Sequence, residues 1–340
     1  MAETIVAIIP LYNGAKYIRP AIESVLAQER QPDEIVVVDD GSTDNGEGAA
    51  IVSEVSDPRI KLLFKGNGGQ GSARNFGVQN STSSLIAFLD QDDLWYPHHL
   101  RVLEKAFLEN KSLPLGWVYS NLDQINADGS MICQSILSTL RANEHPKRTI
   151  NCCLGQDMYI LPGASLISRT AYESVGGFDP QFSGYEDDDL FLRIFCKGWR
   201  NEYIDKPLTI WRAHADSSSR SRRMAISRAK YFEKLVQAFP DYVREIIAPR
   251  FVPNALLDLY TGIKRKDPAK IDLAREHLKT FSRALPISRR LKVRAVALAA
   301  TLPPIRWMLR LLPRSIVMRA RPWLDTSNGT TKSSIIRHPR

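Results

Sequence analysis

The sequence predicts an α/β protein with a mixed, mainly parallel β-sheet flanked by helices and followed by a C-terminal helical extension. Within the first 90 residues, four short apolar runs rich in β-branched residues alternate with segments of helical periodicity. Short, continuously apolar runs are typical of strands buried on both faces of a parallel sheet. The alternation therefore predicts a doubly wound sheet whose strands are joined by right-handed crossovers.

The elements of the first part follow in order from their apolar patterns. The predicted strands are Thr4–Pro10, Glu34–Asp39, Ile60–Phe64 and Leu85–Asp90. Helices are predicted from the apolar stripes of Ile18, Ile22, Val25 and Leu26, of Ala49, Ile51 and Val52, and of Leu100, Leu103 and Phe107. A later strand is predicted at Trp117–Asn121 and a helix at Asp188–Lys197, which Gly198 would end. Ligands of such sheets bind beyond the carboxyl ends of the strands, so functional residues are expected there.

The distribution of charge divides the chain of 340 residues into two parts. The net charge is +9, yet residues 1–219 hold 19 basic and 29 acidic side chains, whereas residues 220–340 hold 27 basic and 8 acidic ones. The change coincides with the serine- and arginine-rich segment Ser217–Arg223. Beyond it the pattern is helical, with Asp267 as N-cap and Pro268 as first residue of a helix through about Arg283. We therefore predict a domain of residues 1–219 and a basic helical extension of residues 220–340, with a frayed tail.

Composition also excludes several classes of protein. A hydrophobic content of 44% excludes a largely disordered chain. No stretch approaches the ~18 apolar residues that cross a bilayer, and the first residues lack the pattern of a secretory signal. The four cysteines form no Cys-x-x-Cys pair and no metal-ligand spacing. These features predict a cytoplasmic protein with reduced thiols.

A glycine-rich loop follows the third predicted strand. Residues Gly66–Gly71 match the pattern G-x-G-x-x-G, and Asp90 follows about 20 residues later, as in a dinucleotide fingerprint. That fingerprint normally follows the first strand of the sheet, however, and Asp90 belongs to an acidic cluster with its own explanation. We interpret the loop as a place where backbone approaches a ligand, with Arg74 one helical turn into the next helix.

The first acidic cluster, Asp90–Asp93, stands at the end of the fourth predicted strand. Neighbouring carboxylates raise one another's pKa unless a cation is present. Oxygen ligands at a strand end suit Mg²⁺ or Mn²⁺ that bridges substrate phosphates. We therefore predict a metal–nucleotide role for Asp90 and Asp92, whereas Asp93 is expected to cap the next helix.

The second acidic cluster, Glu186–Asp189, stands at the start of a predicted helix. Carboxylates are favourable at the positive end of a helix dipole, and this role is assigned to Asp188. A carboxylate among like charges gains proton affinity, which helps it to deprotonate an alcohol. Asp187 is accordingly the candidate general base.

Histidines and the segment Trp211–His214 complete the candidates. Arg212 and His214 are interpreted as positive charge for a diphosphate leaving group, and a packed strand end remains the alternative. His98 and His99 are expected to be surface or capping residues. The sequence contains neither a P-loop nor the nucleophile motif G-x-S-x-G.

Together these motifs resemble the family 2 glycosyltransferases of the GT-A fold. The matching stretches are Ile9–Asn13, Val37–Asp44, Asn67–Gly77, Phe88–Asp93, Gly176–Asp179 and Glu186–Leu190. Their order and spacing agree over roughly residues 4–215. The resemblance implies a nucleotide-diphosphosugar-binding sheet in a catalytic domain of residues 1–219. It also implies inverting transfer of a single sugar from a nucleotide-diphosphate donor to an acceptor hydroxyl.

The resemblance also assigns roles to individual positions. It assigns the nucleotide sugar to Pro10, Tyr12, Asp39, Arg74, Asp90 and Arg212, the divalent metal to Asp92 and His214, and the catalytic base to Asp187. Pro10, Tyr12 and Asp39 would form the base pocket, and Asp90 would face the ribose. The implied cofactor is Mg²⁺ or Mn²⁺. The implied partners are a nucleotide-diphosphosugar donor, with a UDP-sugar favoured, and a glycan or lipid-linked acceptor in surface polysaccharide or glycolipid synthesis.

Two rival functions can be weighed against this interpretation. A sugar-nucleotidyltransferase would carry a glycine-rich loop with arginine directly after the first strand, where Leu11–Asn13 stands. A non-enzymatic basic adaptor would not need Asp90, Asp92 and Asp187. The chain also lacks the Gln-x-x-Arg-Trp motif of processive synthases, which favours a single addition.

The basic extension contains two amphipathic segments. Ser288–Ala300 and Pro304–Leu312 combine apolar residues, including Trp307, with an arginine-rich flank, which is typical of interfacial membrane helices. A helix packed on the catalytic domain with a solvated basic face is the alternative. No nucleic-acid motif accompanies the charge, so no nucleic-acid partner is expected. The segments predict a peripheral position on an anionic membrane at its cytoplasmic face.

Overall fold

The computed structural model of the protein describes residues 3–109, 114–140, 144–214 and 222–299. The chain forms two compact units, Met1–Tyr231 and Phe232–Arg340. The division between these units falls inside a helix, Arg222–Ala238, and the predicted domains of residues 1–219 and 220–340 stay a prediction. The physical reason for this division is that the first part of this helix packs on the first unit, where Tyr231 contacts the rings of Phe182 and Tyr185.

The first unit contains the sheet and its flanking helices, numbered in chain order. The strands are β1 (Ile5–Leu11), β2 (Glu34–Asp39), β3 (Ile60–Phe64), β4 (Leu85–Phe88), β5 (Leu94–Trp95), β6 (Leu115–Asn126), β7 (Met131–Cys133), β8 (Ser165–Ser168) and β9 (Arg200–Ala213). The helices are α1 (Ile18–Leu26), α2 (Glu47–Ser53), α3 (Gln70–Gln79), α4 (His99–Glu109), α5 (Ile136–Thr139), α6 (Ile150–Leu154), α7 (Arg169–Ser174) and α8 (Glu186–Cys196), and the next helix, α9 (Arg222–Ala238), begins in this unit and ends in the second.

In the described part of the chain, all nine strands belong to one mixed sheet. Its order is β3-β2-β1-β4-β8-β6-β9-β5, with β7 paired to β6. The first four strands run parallel, as the sequence predicted. Strand β8 is antiparallel to both β4 and β6, whereas β6 and β9 run parallel. The carboxyl ends of β1, β2 and β4 consequently lie at the same edge of the sheet.

The core of this unit explains why the parallel strands are continuously apolar. Every residue of β1 is buried, and one face of the sheet is covered by the apolar side of α1, including Ile18, Ile22 and Val25. Helix α3 packs closely over β1. A Cβ atom on Gly77 would lie 2.5 Å from a methyl carbon of Ile8, so this contact requires glycine. The close packing fixes the start of α3, and with it Arg74, relative to β1.

The described residues of the second unit form helices and helical turns joined by short connections. A 3₁₀ turn (Pro240–Tyr242) and a π-helical turn (Val243–Ile247) precede α10 (Ala248–Arg265), α11 (Pro268–Arg283) and α12 (Ile287–Ala299). Its core includes the rings of Phe232, Phe251 and Phe281, whose centroids lie 4.5–5.6 Å apart. The predicted N-cap is confirmed, because the Lys270 N–H donates to Asp267 Oδ1 at 3.0 Å.

The predicted membrane segments are described only in part. The segment Ser288–Ala300 corresponds to α12, whereas Pro304–Leu312 and the tail expected to fray lie outside the described residues. Among the described helices, none combines the length and the apolar character needed to span a bilayer.

Candidate functional site

The end of β1 is joined to the acidic loop that follows β4. The Tyr12 N–H donates to Gln91 Oε1 at 2.8 Å, and Gln91 Nε2 donates to the Tyr12 carbonyl at 3.1 Å. This reciprocal pair leaves the Tyr12 side chain 43% exposed at the edge, next to Pro10 at the end of β1. Asp39, at the end of β2, is buried and accepts the Ser42 N–H at 2.7 Å. The residues predicted to form the base pocket thus meet at one edge.

The glycine-rich loop is held by Asp40, whose role the sequence did not indicate. Its carboxylate accepts the N–H groups of Gly68 and Gly69 at 3.0 and 2.7 Å and pairs with Lys65 at 2.6 Å. Gly41 has φ +72°, and a Cβ there would lie 2.7 Å from the Asn67 nitrogen. The amides that a phosphate would meet in a dinucleotide fingerprint are therefore engaged by an aspartate.

Arg74 joins the two acidic clusters. Its side chain is 2% exposed, hydrogen-bonds to Asp90 and lies 3.5 Å from Glu186. The guanidinium also lies over the ring of Phe178, at 5.2 Å from its centroid. Burial by itself lowers the pKa of Arg74, but the charges of Asp90 and Glu186 outweigh burial and raise it. The predicted contact of Arg74 with the nucleotide stays a prediction; its visible partners are acidic side chains.

The end of β9 returns to the acidic loop. His214 Nε2 lies 2.6 Å from Asp92 Oδ2, and Arg212 Nε donates to the Asp92 carbonyl at 3.0 Å. Burial and the charge of Asp90 raise the pKa of Asp92, while its hydrogen bond to His214 opposes the rise. Asp93, expected to cap a helix, instead accepts the Arg212 N–H at 2.9 Å because β9 lies beside it. The structure thus brings Arg212, His214 and Asp92 together.

Tyr17, at the start of α1, belongs to the same group. Its ring centroid lies 5.3 Å from that of His214 and 5.5 Å from the Arg212 guanidinium carbon. Lys16 approaches the same ring at 4.9 Å. A tyrosine before an apolar helix carries no sequence signal for this role, which depends on a segment almost 200 residues away.

Helix α8 places its four acidic residues in different surroundings. Glu186 Oε2 accepts the Gly184 N–H at 2.6 Å, and Asp189 pairs with Arg193 at 2.8 Å. Asp188, expected to serve the helix dipole, lies in the first turn of α8 as predicted, and it also accepts the N–H of Met158 in a neighbouring loop at 3.0 Å.

Asp187 remains partly exposed, and its Oδ1 accepts the Asp188 N–H at 2.9 Å. Burial, followed by the charges of Glu186 and Asp188, raises the pKa of Asp187 well above its ordinary value. A carboxylate with increased proton affinity, near solvent and at a ligand-binding edge, has the properties of a general base.

The candidate metal ligands fit a cation only with help from a substrate. Among the described residues, no group of three or more His, Cys, Asp or Glu side chains is arranged to hold a metal ion. Asp92 and His214 present one carboxylate oxygen and one imidazole nitrogen to each other. Mg²⁺ and related cations are often bound through one or two carboxylates together with substrate phosphates. The pair therefore fits a divalent cation whose other ligands are diphosphate oxygens and water.

The family comparison covers most of this site. The model described as "Glycosyl transferase family 2" matches residues 6–176, half of the chain. A second model, described as "N-terminal domain of galactosyltransferase", matches residues 151–214. Between them they include both acidic clusters and the end of β9.

Several curated proteins are similar over the same region. An uncharacterized glycosyltransferase of Rickettsia bellii is 34% identical over 223 residues, which cover 63% of this chain and 30% of that protein. An uncharacterized glycosyltransferase of Rickettsia prowazekii is 31% identical over 239 residues, covering 68% of this chain and 70% of that protein. The hyaluronan synthase of Pasteurella multocida is 27% identical over 226 residues, which cover 66% of this chain and 22% of that protein. The chain thus spans less than a third of the length of some of these relatives.

Solved structures share the fold. S. aureus TarS 1-349 in complex with UDP-GlcNAc superposes with a TM-score of 0.61 at 18% identity, covering 94% of this chain and 92% of that one. A longer S. aureus TarS structure superposes with a TM-score of 0.59 at 18% identity, covering 96% of this chain and 54% of that one. This likeness confirms the predicted GT-A fold. Together with a family model that matches half of the sequence, it shows that the chain belongs to glycosyl transferase family 2.

Proposed function

We propose that the protein is an inverting glycosyltransferase that moves a single sugar from a nucleotide-diphosphosugar, preferably a UDP-sugar, to an acceptor hydroxyl. The observation that carries this proposal is the buried Arg74, which holds the two acidic clusters together. It contacts Asp90 in the cluster that contains Asp92, and Glu186 in the cluster that contains Asp187. One guanidinium thereby fixes the candidate donor site and the candidate base at the same edge of the sheet.

The donor would lie across the carboxyl ends of β1, β2 and β4. Tyr12 and Asp39 would contact its base, and Asp90 its ribose. Asp92 and His214 would hold Mg²⁺ or Mn²⁺ together with the diphosphate, and the cation would supply positive charge to the leaving group. The Arg212 side chain lies beside Asp92 and would add a second positive charge there.

The chemical step requires a base on the acceptor side. Asp187 would take the proton of the acceptor hydroxyl while the acceptor oxygen forms a bond to the anomeric carbon. The bond from that carbon to the diphosphate breaks, and its electron pair leaves with the diphosphate. Because attack and departure occur on opposite faces of the sugar, a single displacement inverts the configuration. The raised pKa of Asp187 suits this role, since a more basic carboxylate accepts the proton more readily.

The comparisons support the substrate classes at a coarser level. TarS 1-349 has been solved with UDP-GlcNAc and with UDP, which favours a UDP-sugar as the donor here. The similar proteins of Pasteurella multocida are named hyaluronan synthase and chondroitin synthase. We therefore propose a glycan or lipid-linked acceptor in polysaccharide or glycolipid synthesis, with the reaction on the cytoplasmic side.

A donor screen tests this function. Binding of UDP-, GDP- and dTDP-sugars would be measured by calorimetry with Mn²⁺ and with EDTA, for the native protein, Asp92→Ala and Asp128→Ala. Asp128 is an exposed turn residue outside the site and serves as the matched control. We expect one donor to bind with Mn²⁺, and expect Asp92→Ala alone to weaken binding. Failure of every nucleotide sugar to bind, or equal binding by Asp92→Ala, would overturn the proposal.

A further inference from the structure

Helix α12 turns large aliphatic side chains towards solvent. Ile287, Leu291 and Leu298 are 72%, 60% and 65% exposed. At about 100° per residue, these three positions lie within about 40° of one another around the helix axis. They form one stripe, here called the outer stripe. Exposed aliphatic side chains that cluster on one face of a protein often mark an interaction site.

Contacts on the other side of α12 explain why the outer stripe faces solvent. Val293 is 1% exposed and packs inward. The Arg290 guanidinium donates to the carbonyls of Arg283 and Leu285, at the C-terminal end of α11. A cation at that end is favourable because unpaired carbonyls carry partial negative charge there. These contacts fix the rotation of α12 about its axis.

All the charged side chains of α12 are positive, because the helix carries Arg289, Arg290, Lys292 and Arg294 and contains no acidic residue. Lys292 and Arg294 are exposed; Arg294 lies about 20° from one edge of the outer stripe and Lys292 about 100° from the other. Arg294 and Leu298 also line a groove of about 540 Å³ together with four charged residues of α11, which are Asp272, Arg275, Glu276 and Lys279. Basic side chains outnumber acidic ones in this groove, so the charge beside the stripe is positive on balance.

We propose that the outer stripe of α12 binds the surface of an anionic lipid bilayer. Ile287, Leu291 and Leu298 would enter the boundary between headgroups and acyl chains, and Lys292 and Arg294 would contact lipid phosphates. The aliphatic stripe distinguishes this partner from a nucleic acid, which would use the cations alone. A second copy of the chain fits less well, because a two-fold interface along α12 would bring like charges together.

Vesicle flotation of the full chain tests the proposal. The native protein is expected to float with vesicles of phosphatidylcholine and phosphatidylglycerol, to float poorly with phosphatidylcholine alone, and to dissociate at high salt. The triple variant Ile287→Ser/Leu291→Ser/Leu298→Ser should bind at least about tenfold more weakly. The matched control is Val296→Ser, since Val296 is 51% exposed and lies about 180° from Ile287 around the helix.

The outcomes separate the possible occupants of the stripe. The proposal is overturned if the native protein ignores anionic vesicles, if the triple variant floats as well as the native chain, or if Val296→Ser loses as much binding. Light scattering provides the remaining check. A native dimer that the triple variant converts to a monomer would assign the stripe to a second copy. All of the substituted side chains are exposed, and circular dichroism would verify that the variants stay folded.

Discussion

The two acidic clusters have similar compositions but differ in the source of their counter-charges. Asp90–Asp93 meets Arg212 and His214 from the end of β9, and the Asp92 side chain remains 23% exposed. In Glu186–Asp189, Arg193 of the same helix pairs with Asp189, Arg74 contacts this cluster as well as Asp90, and three of the four acids are buried.

This difference explains why similar clusters suit different chemistry. A partly exposed carboxylate beside an imidazole can accommodate an incoming cation with its phosphates. Burial raises the pKa of Asp187 in the second cluster well above its ordinary value; it also raises the pKa of Asp92, but there the hydrogen bond to His214 opposes the rise. We therefore propose donor binding for the first cluster and proton transfer for the second.

The largest expected effect is on the rate of sugar transfer. Asp187→Asn removes the proposed base and should lower the rate by about 10³-fold, within the usual range for general bases. Asp188→Asn is the matched control next to it. It keeps an oxygen to accept the Met158 N–H and should cost less than about tenfold. Steady-state rates with a fixed donor measure both, and equal losses would remove the distinction between the two residues.

The second-largest effect is expected on the Mn²⁺ dependence of sugar transfer. His214→Ala removes the imidazole beside Asp92 and should raise the Mn²⁺ concentration needed for half-maximal transfer by about 10–100-fold. Tyr17→Phe keeps the ring that contacts His214 and should leave this concentration almost unchanged. The measurement is transfer rate against Mn²⁺ concentration. An unchanged requirement in His214→Ala would exclude His214 from the metal site.

The pH profile tests the raised pKa of Asp187. The base must be unprotonated, so transfer should fall as the pH drops through that pKa, at a higher pH than for an ordinary aspartate near about 3.9. The charge of Arg74 opposes the rise. Arg74→Met should therefore move this fall to still higher pH, and Arg74→Lys should move it less.

Thermal unfolding shows whether the two Arg74 variants stay folded. Arg74→Met leaves buried carboxylates without their partner and should lower the free energy of unfolding by about 3–5 kcal/mol. The pH profile is then compared with that of the native protein for each variant that stays folded. A profile that matches the native one would show that Arg74 does not influence the base.

The smallest effect is expected at Asp93. Its carboxylate accepts a main-chain N–H from Arg212, and an asparagine can do the same. Asp93→Asn should change the free energy of unfolding by less than about 1.5 kcal/mol and leave donor affinity nearly unchanged. Denaturant unfolding and donor titration measure both. A loss of affinity as large as that of Asp92→Ala would show that the whole cluster binds the cation.

Local signals predicted much of the fold. The strands β2 and β3 have the predicted bounds, and α11 begins after the predicted cap at Asp267. These features could be predicted because burial patterns and helix caps depend on residues that are close together in the sequence. Strand β4 ends at Phe88, two residues early, because the chain turns into the acidic loop. Strand β8 has only four residues and pairs between distant strands, so its own sequence gave no indication of it.

The site shows the same limit. Asp92 and Asp187 could be proposed as site residues from the sequence because their motifs are local, whereas the contacts of Asp40 and Tyr17 depend on distant partners. His99 illustrates an error of this kind. Expected to be a surface or capping residue, it is buried against Trp95, with ring centroids 4.5 Å apart, and burial lowers its pKa to about 3. His99 is buried by β9, where its Nδ1 lies 3.2 Å from the carbonyl oxygen of Leu208, more than 100 residues later in the chain.

Binding of UDP with Mn²⁺ to Asp92→Ala and to Asp187→Asn, measured by calorimetry on preparations that are also assayed for transfer, tests the division between the clusters most directly. The account predicts that Asp92→Ala loses metal-dependent binding. It predicts that Asp187→Asn binds UDP like the native protein but transfers almost no sugar. Loss of UDP binding in Asp187→Asn, or native transfer by that variant, would contradict the account.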